Sequence, residues 1–271
     1  VPGFAHVALL RGLRNEAPAL PIDIVAGTSI GSLVGAWYVG RLANPRREES
    51  TLESLLNQGR LLNLLMPAAM VDSHLLERWL NRVFPVHDQT QFEVPFAGVS
   101  TDVLSATVWT CDHGTLGSAA RKSSAFAPMF PPVLVPGGRL LDGGFADNVP
   151  VAVVRALGGA FVIGSNAVGM SNASPCTEPG ATGWRSVLAA LNPIARMESA
   201  LHGGFVIFHR LGDFESRMAN VAYEAAYSGD RFWDFSHARD VVAQTQAAAT
   251  AFAIHTGAMW RAWVRPRRSA R

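Results

Sequence analysis

Residues 21–39, PIDIVAGTSIGSLVGAWYV, decide how the rest of the chain is read. Ile22, Ile24 and Val25 form a short apolar, β-branched run of the kind that makes a buried strand. Gly27-Thr28-Ser29-Ile30-Gly31 follows at once and matches G-x-S-x-G. Ser32 to Val39 is compatible with a helix. Strand, sharp turn and helix in that order are the setting of a nucleophile elbow. Ser29 would sit at the apex of a strained turn, its hydroxyl raised above the strand end. Gly27 and Gly31 leave room for the backbone to fold back past it. The helix start turns its N–H groups, Ile30 foremost, and its positive dipole end toward the place where an oxyanion would form. The bare five-residue pattern also occurs in glycine-rich loops without chemistry, so it is the flanking strand and helix that select the catalytic reading.

The 271 residues can bury a full core, enough for one large α/β domain with or without an appendage. Hydrophobic residues at 49% and charged residues at 16% describe an apolar globular chain rather than a disordered one. A net charge of +2 is too small to imply nucleic acid as a partner. Cys111 and Cys176 form neither a disulfide framework nor a metal set, and a reducing cytoplasm is the easier setting. No signal peptide and no 18-residue apolar run is visible, so the expected location is cytoplasmic, with at most peripheral membrane contact.

Ala5–Asn15 reads as a helix closed by Pro18 and Pro21. Leucine-rich stretches at Thr51–Leu65 and Ser73–Phe84 read as helices of a cap spanning about residues 45–90. They would line an acyl pocket or simply pack as core. Pro95–Thr101 and Ala106–Thr110 read as strands around a turn, and Gly117–Phe126 as a short helix. Val133–Val135 and Arg139–Leu141 flank Pro136-Gly137-Gly138, a hairpin signal. Asp142-Gly143-Gly144 ends the second of those strands. A helix from Asn148-Val149-Pro150 to Leu157 and a strand at Ala160–Asn166 complete an alternation that argues for a largely parallel sheet finishing near Val168. Beyond it, Trp184–Leu201, Met218–Tyr227 and Val241–Trp263 read as helices. Residues 1–168 would form the α/β core, and 169–271 a mainly helical part packed on it.

Ser29 needs a base. The α/β-hydrolase order of serine, acid and histidine fits poorly, because several strands should precede the elbow and no histidine sits in a motif. His202, His209, His237 and His255 lie in or beside helices and read as packing or surface residues. Asp142 is the better candidate. It ends a strand beside two glycines that leave its carboxylate bare, and partial desolvation would raise a pKa that is ordinarily near 3.9, making it a better base. A tight turn at a strand end is the alternative reading of D-G-G.

Three stretches, PIDIVAGTSIGSLVGAWY, SSAFAPMFPPV and GRLLDGGFADNVPVAVVRALGG, resemble the patatin-like phospholipase family and its bacterial serine acyl hydrolases. Shorter echoes are FAHVALLRGL and FAGVSTDVLSATVWT, so the likeness spans residues 3–165. It implies a three-layer α/β/α acyl hydrolase fold with a Ser–Asp dyad, Ser29 matching the nucleophile and Asp142 the acid of D-G-G. It also implies cleavage of carboxylic esters of (lyso)phospholipids or other acyl lipids, with no cofactor or metal.

The departure is at the start. The family opens with a strand and a glycine loop ending R/K-G, whose amides complete the oxyanion hole. Val1-Pro2-Gly3 stands in its place, with Gly3 matching the final glycine and Pro2 offering no N–H. The first strand and most of that loop are expected to be missing, which keeps a non-catalytic lipid- or partner-binding domain as the alternative. The oxyanion and elbow group is therefore Gly3, Gly27, Ile30, Gly31, Gly143 and Gly144. Trp260, Trp263, Arg265, Arg267 and Arg268 are candidates for touching an anionic membrane, against the plainer reading of a solvated helix end.

Overall fold

A computed structural model describes residues 2–42, 56, 59–84, 88–127, 129–168, 193–227 and 235–269. Its centre is β2 (Phe96–Asp102), buried along its whole length. β1 (Val25–Thr28) lies parallel to it, with Val25 opposite Phe96 and Thr28 opposite Val99. β3 (Thr107–Cys111) and β5 (Gly138–Asp142) run antiparallel to β2, and β4 (Val133–Val135) forms a hairpin with β5. This five-stranded sheet is therefore mixed. A separate parallel pair joins β6 (Ile163–Asn166) to β7 (Val221–Glu224). A cleft lined by Val25, Ala26, Val162 and Ile163 separates that pair from β1.

Helices cover the sheets. α1 (Ala5–Glu16) packs along the long C-terminal helix, named α8 below (Ala238–Ser269). α2 (Ile30–Leu42) lies on β1 and β2 and touches α5 (Leu116–Ser123). Between them in sequence, α3 (Gly59–Val71) and α4 (His74–Val83) form part of the expected cap, α4 resting on α5. Asp72 Oδ1 accepts the His74 N–H at 2.9 Å and so satisfies the first amide of α4. α6 (Val151–Ala156) is short, and α7 (Pro193–Ser216) lies against β6, β7 and the turn after Asp142. The main core joins Phe4, Val7 and Leu13 of the N-terminal segment to Trp37, Tyr223 and Val241.

Two expectations shift. The elbow strand begins at Val25 rather than Ile22, and it takes in Gly27 and Thr28 because these pair with Gly98 and Val99. Met218–Tyr227, expected to be helical, contains β7 instead. Its Val-Ala-Tyr-Glu run alternates buried and exposed, and pairing with β6 overrides the helix preference of Ala and Glu. Residues 51–55 and 57–58 of the expected Thr51–Leu65 helix, and 184–192 of the expected Trp184–Leu201 helix, lie outside the described residues.

Candidate active site

Strand pairing brings the two motifs together. β3 occupies one edge of β2 from Gly98 to Asp102. A strand edge takes one neighbour at each residue, so β1, paired with 96–99, and β5, paired with 100–102, must share the opposite edge. They run toward each other and stop head to head. Thr28 ends opposite Val99 and Asp142 ends opposite Ser100. Ser29 and Asp142, far apart in sequence, emerge at that junction.

The elbow is built as its sequence suggests. Ser29 has φ +53°, a strained value for a residue with a side chain. Its amide donates to Ser123 Oγ at 2.9 Å, and Ser123 Oγ in turn donates to the Val99 carbonyl. Ser32 N–H and Ser32 Oγ both donate to the Ser29 carbonyl, at 2.9 and 2.7 Å. The turn is thus tied to β2 through α5 and to the first turn of α2. Ser123 is a supporting residue that the sequence reading quoted within a motif without giving it a role.

Asp142 is fully buried. Its backbone is clamped: its N–H donates to the Ala125 carbonyl at 3.0 Å, and its carbonyl accepts from Thr101 Oγ1 at 2.9 Å. Oδ1 accepts the Gly144 N–H at 2.9 Å. Oδ2 has no hydrogen bond although it is buried. Burial pushes the pKa of this carboxyl up to about 7, against smaller opposing pulls from the Ser29 hydroxyl and the Gly144 amide. Ser29 is thus near enough to favour the charged form, yet it stops short of a formed hydrogen bond to Oδ2. A buried acceptor without a hydrogen bond thus lies beside a strained serine.

Ser29 opens into a pocket between α2, the cap helices and α7. Leu33, Met66, Leu76, Phe126, Phe205 and Phe208 make it apolar. The cap helices therefore contribute to the pocket as well as to the core. The Phe208 ring lies 5.2 Å from Phe126 and 5.0 Å from Phe145, and a Cβ on Gly144 would meet it at 2.7 Å. Gly3 lines the same pocket and abuts the Ile30 side chain so closely that a Cβ could not be added. Ile30 opens α2, so its N–H is a first-turn amide without an acceptor inside the helix.

His6, also missed from sequence, belongs to this wall. Its Nδ1 is hydrogen-bonded to Ser165 Oγ at 2.7 Å, and burial pushes its pKa down to about 4, so the ring is neutral at neutral pH. Among the described side chains, the other histidines named above do not line the pocket. His209 Nδ1 bonds the Val168 carbonyl, His237 pairs with Asp240, His255 lies exposed on α8, and the side chain of His202 is outside the described residues. Trp260 and Trp263 are half-buried along the cleft beside β1, Trp263 edge-on to Phe161 at 5.6 Å. Arg265 is exposed, and the side chains of Arg267 and Arg268 are outside the described residues.

A model of the family described as patatin-like phospholipase matches residues 1–155, more than half of the chain. The chain belongs to the patatin-like phospholipase family. Patatin-like phospholipase domain-containing protein 6 of Mus musculus is 29% identical over 204 residues, 71% of this chain and 15% of that protein. Lysophospholipase NTE1 of Mycosarcoma maydis is 31% identical over 202 residues, 70% of this chain and 10% of that protein. The chain thus spans a small fraction of the length of these relatives. Among the described residues, no helix is long and apolar enough to cross a membrane.

One feature of this patatin-like site reaches past the matched residues. Asp147, shortly after D-G-G, meets Glu215 near the end of α7, and both are nearly fully buried. Glu215 Oε2 accepts the Val149 N–H at 2.7 Å, and the Asp147 carbonyl accepts from Thr28 Oγ1 at 2.7 Å. The pair therefore ties α7 to the loop after Asp142 and, through Thr28, to the elbow. Burial raises Asp147 to about 6 and Glu215 to about 7, so the two retain a proton near neutrality and titrate as a unit. The unfolded chain releases that proton at lower pH, so stability falls as pH rises toward 7. Glu215→Gln keeps an acceptor for Val149 and gains a donor for Asp147. Thermal melts at pH 5 and pH 8 are expected to show a smaller gap for this variant than for the parent. An unchanged gap would remove the shared proton from the account.

Proposed function

We propose that the chain is a serine acyl hydrolase that cleaves carboxylic esters of (lyso)phospholipids or other acyl lipids. The observation that carries this reading is the unpaired, buried Asp142 Oδ2 beside Ser29, at the foot of an apolar pocket. Asp142 takes the Ser29 proton as Oγ attacks the ester carbonyl. The Ile30 N–H and the α2 dipole stabilise the tetrahedral oxyanion. The leaving alcohol receives the proton from Asp142, and an acyl-Ser29 ester remains. Water then attacks that ester with Asp142 again as base, and the acid departs. Leu33, Phe126, Phe205 and Phe208 hold the acyl chain.

Only ionised Asp142 can accept the proton. With its pKa near 7, kcat/KM for p-nitrophenyl butyrate is expected to rise with pH and level off above neutrality. Ser29→Ala is expected to lower kcat/KM by at least about 10³-fold in a protein that still folds. Residual turnover near the parent level would sink the assignment. Lysophosphatidylcholine in place of the chromogenic ester tests the substrate class.

A non-catalytic lipid-binding reading has one observation in its favour. Pro2 lines the pocket without an N–H, and one lost oxyanion donor costs about 10²–10³ in rate. No hydrolysis by a folded parent that still binds lysophosphatidylcholine would select it.

A further inference from the structure

Two of the helices that line the Ser29 pocket carry apolar side chains on their outer faces as well. On α7, Phe205 and Phe208 point into the pocket. The opposite stripe presents Val206, Ile207 and Phe214, and Met218 continues it just past the helix end. Phe214 is 65% exposed. Arg210 lies in the same stripe, since positions 207, 210 and 214 recur at helical spacing, and Arg217 follows just past the helix end. Asp213, at its border, pairs with Arg217 at 2.9 Å. On α3, Met66 lines the pocket while Leu64 and Val71 stand 76% and 85% exposed, with Pro67 and Ala68 between them. Bare apolar side chains on consecutive turns mark an interaction surface. Arginines among them suit the anionic headgroup boundary of a bilayer, where apolar groups enter the acyl region and cations stay with the phosphates. By contrast, the rings of Trp260 and Trp263 are partly taken up by the cleft beside β1.

We propose that the outer faces of α7 and α3 dock this protein onto an anionic phospholipid surface, so that a lipid can leave the bilayer between the two helices and reach Ser29. The proposal rests on the acyl-lipid reading of the site. It makes α7 two-sided, with its inner phenylalanines gripping the acyl chain and its outer stripe resting in the headgroup layer.

The test is sedimentation with vesicles of phosphatidylcholine and phosphatidylglycerol, using Ser29→Ala protein so that no lipid is consumed. Ile207→Ser combined with Phe214→Ser is expected to weaken binding at least tenfold, and Leu64→Ser with Val71→Ser several-fold. Arg210→Gln should weaken binding to anionic vesicles and leave weak binding to pure phosphatidylcholine unchanged. Arg265→Gln should change neither. In protein that retains Ser29, the same substitutions should leave p-nitrophenyl butyrate turnover within twofold of the parent while vesicle-lipid hydrolysis falls with binding. Equal binding by parent and variants, or no binding by the parent, would overturn the proposal. So would a lipid-free dimer that Phe214→Ser dissolves, since the face would then join two copies of the chain. If the parent hydrolyses no ester yet the surface variants still lose vesicle binding, the hydrolase reading fails and the docking surface stands.

Discussion

Asp142→Asn is expected to abolish turnover and, in the same protein, to stabilise the fold above neutral pH. The two effects share one cause. Asp142 is fully buried, and the Gly144 amide supplies the one formed hydrogen bond to its carboxyl group. Ionising it there is costly, which is why its pKa stands near 7. Between its ordinary value and 7, the native state holds a proton that the unfolded chain has released. Stability therefore falls as pH rises through that window, and the loss is complete above it. Holding the carboxyl near 7 instead of near its ordinary value corresponds to at most about 4 kcal/mol at pH 8. Asn keeps the acceptor for Gly144, fits the same space and never ionises, so the variant escapes the penalty. It also cannot accept the Ser29 proton, and kcat/KM should drop at least about 10³-fold. The checks are melts of parent and variant at pH 5 and pH 8, with ester kinetics at pH 8. His6, held neutral by burial, shifts stability in the opposite direction below pH 6.5, but it is common to both proteins and cancels in the comparison. The variant's advantage in Tm should widen from pH 5 to pH 8. A variant less stable than the parent at pH 8 would mean that the carboxylate has a compensating partner.

What could be read from sequence, and what could not, divides along a physical line. The elbow and D-G-G were legible because each is a local backbone device. A strained serine needs a particular residue beside it, and a strand that ends at an unscreened carboxylate needs small neighbours. Their meeting was legible only by resemblance. The cause of it, β1 and β5 stopping head to head on one edge of β2, lies in a pairing register that no local pattern states. Ser123 and His6 were missed for the same reason. Each acts through a bond to a distant strand or turn, Ser123 to Ser29 and His6 to Ser165, and neither residue type announces such a partner. β7 was misread because Ala and Glu favour a helix when considered alone, whereas the edge of β6 decides the matter in the fold. Glu215 could not have been chosen from sequence at all. A carboxylate near a helix end is ordinarily solvated, and only the packing of α7 on the D-G-G turn buries it against Asp147.

The two glycines of G-x-S-x-G should respond in opposite ways to alanine, although the pattern treats them alike. A Cβ on Gly27 would collide with the Gly31 carbonyl oxygen and approach the Ser32 Cα to 2.7 Å. Both obstacles are backbone of the first turn of α2, and no rotamer change relieves them. α2 would have to lift from β1, pulling the Ile30 amide away from Ser29. Gly27→Ala is therefore expected to cost more than about 3 kcal/mol, in the range reserved for severe overpacking, and to leave little folded, active protein. Gly31 sits inside α2, and its Cβ would meet only the His6 ring, with Nε2 at 3.5 Å, an ordinary contact. Its φ is not positive, so nothing in the backbone demands glycine there. Alanine gains up to about 1 kcal/mol of helix propensity over glycine, so Gly31→Ala should match or exceed the parent in Tm. Its p-nitrophenyl butyrate kinetics should stay within severalfold of the parent. Melting curves and ester kinetics on the two variants check both halves. If Gly31→Ala lost activity at full stability, the small space beside His6 would be needed by substrate rather than by the elbow, and His6 would become the next residue to replace.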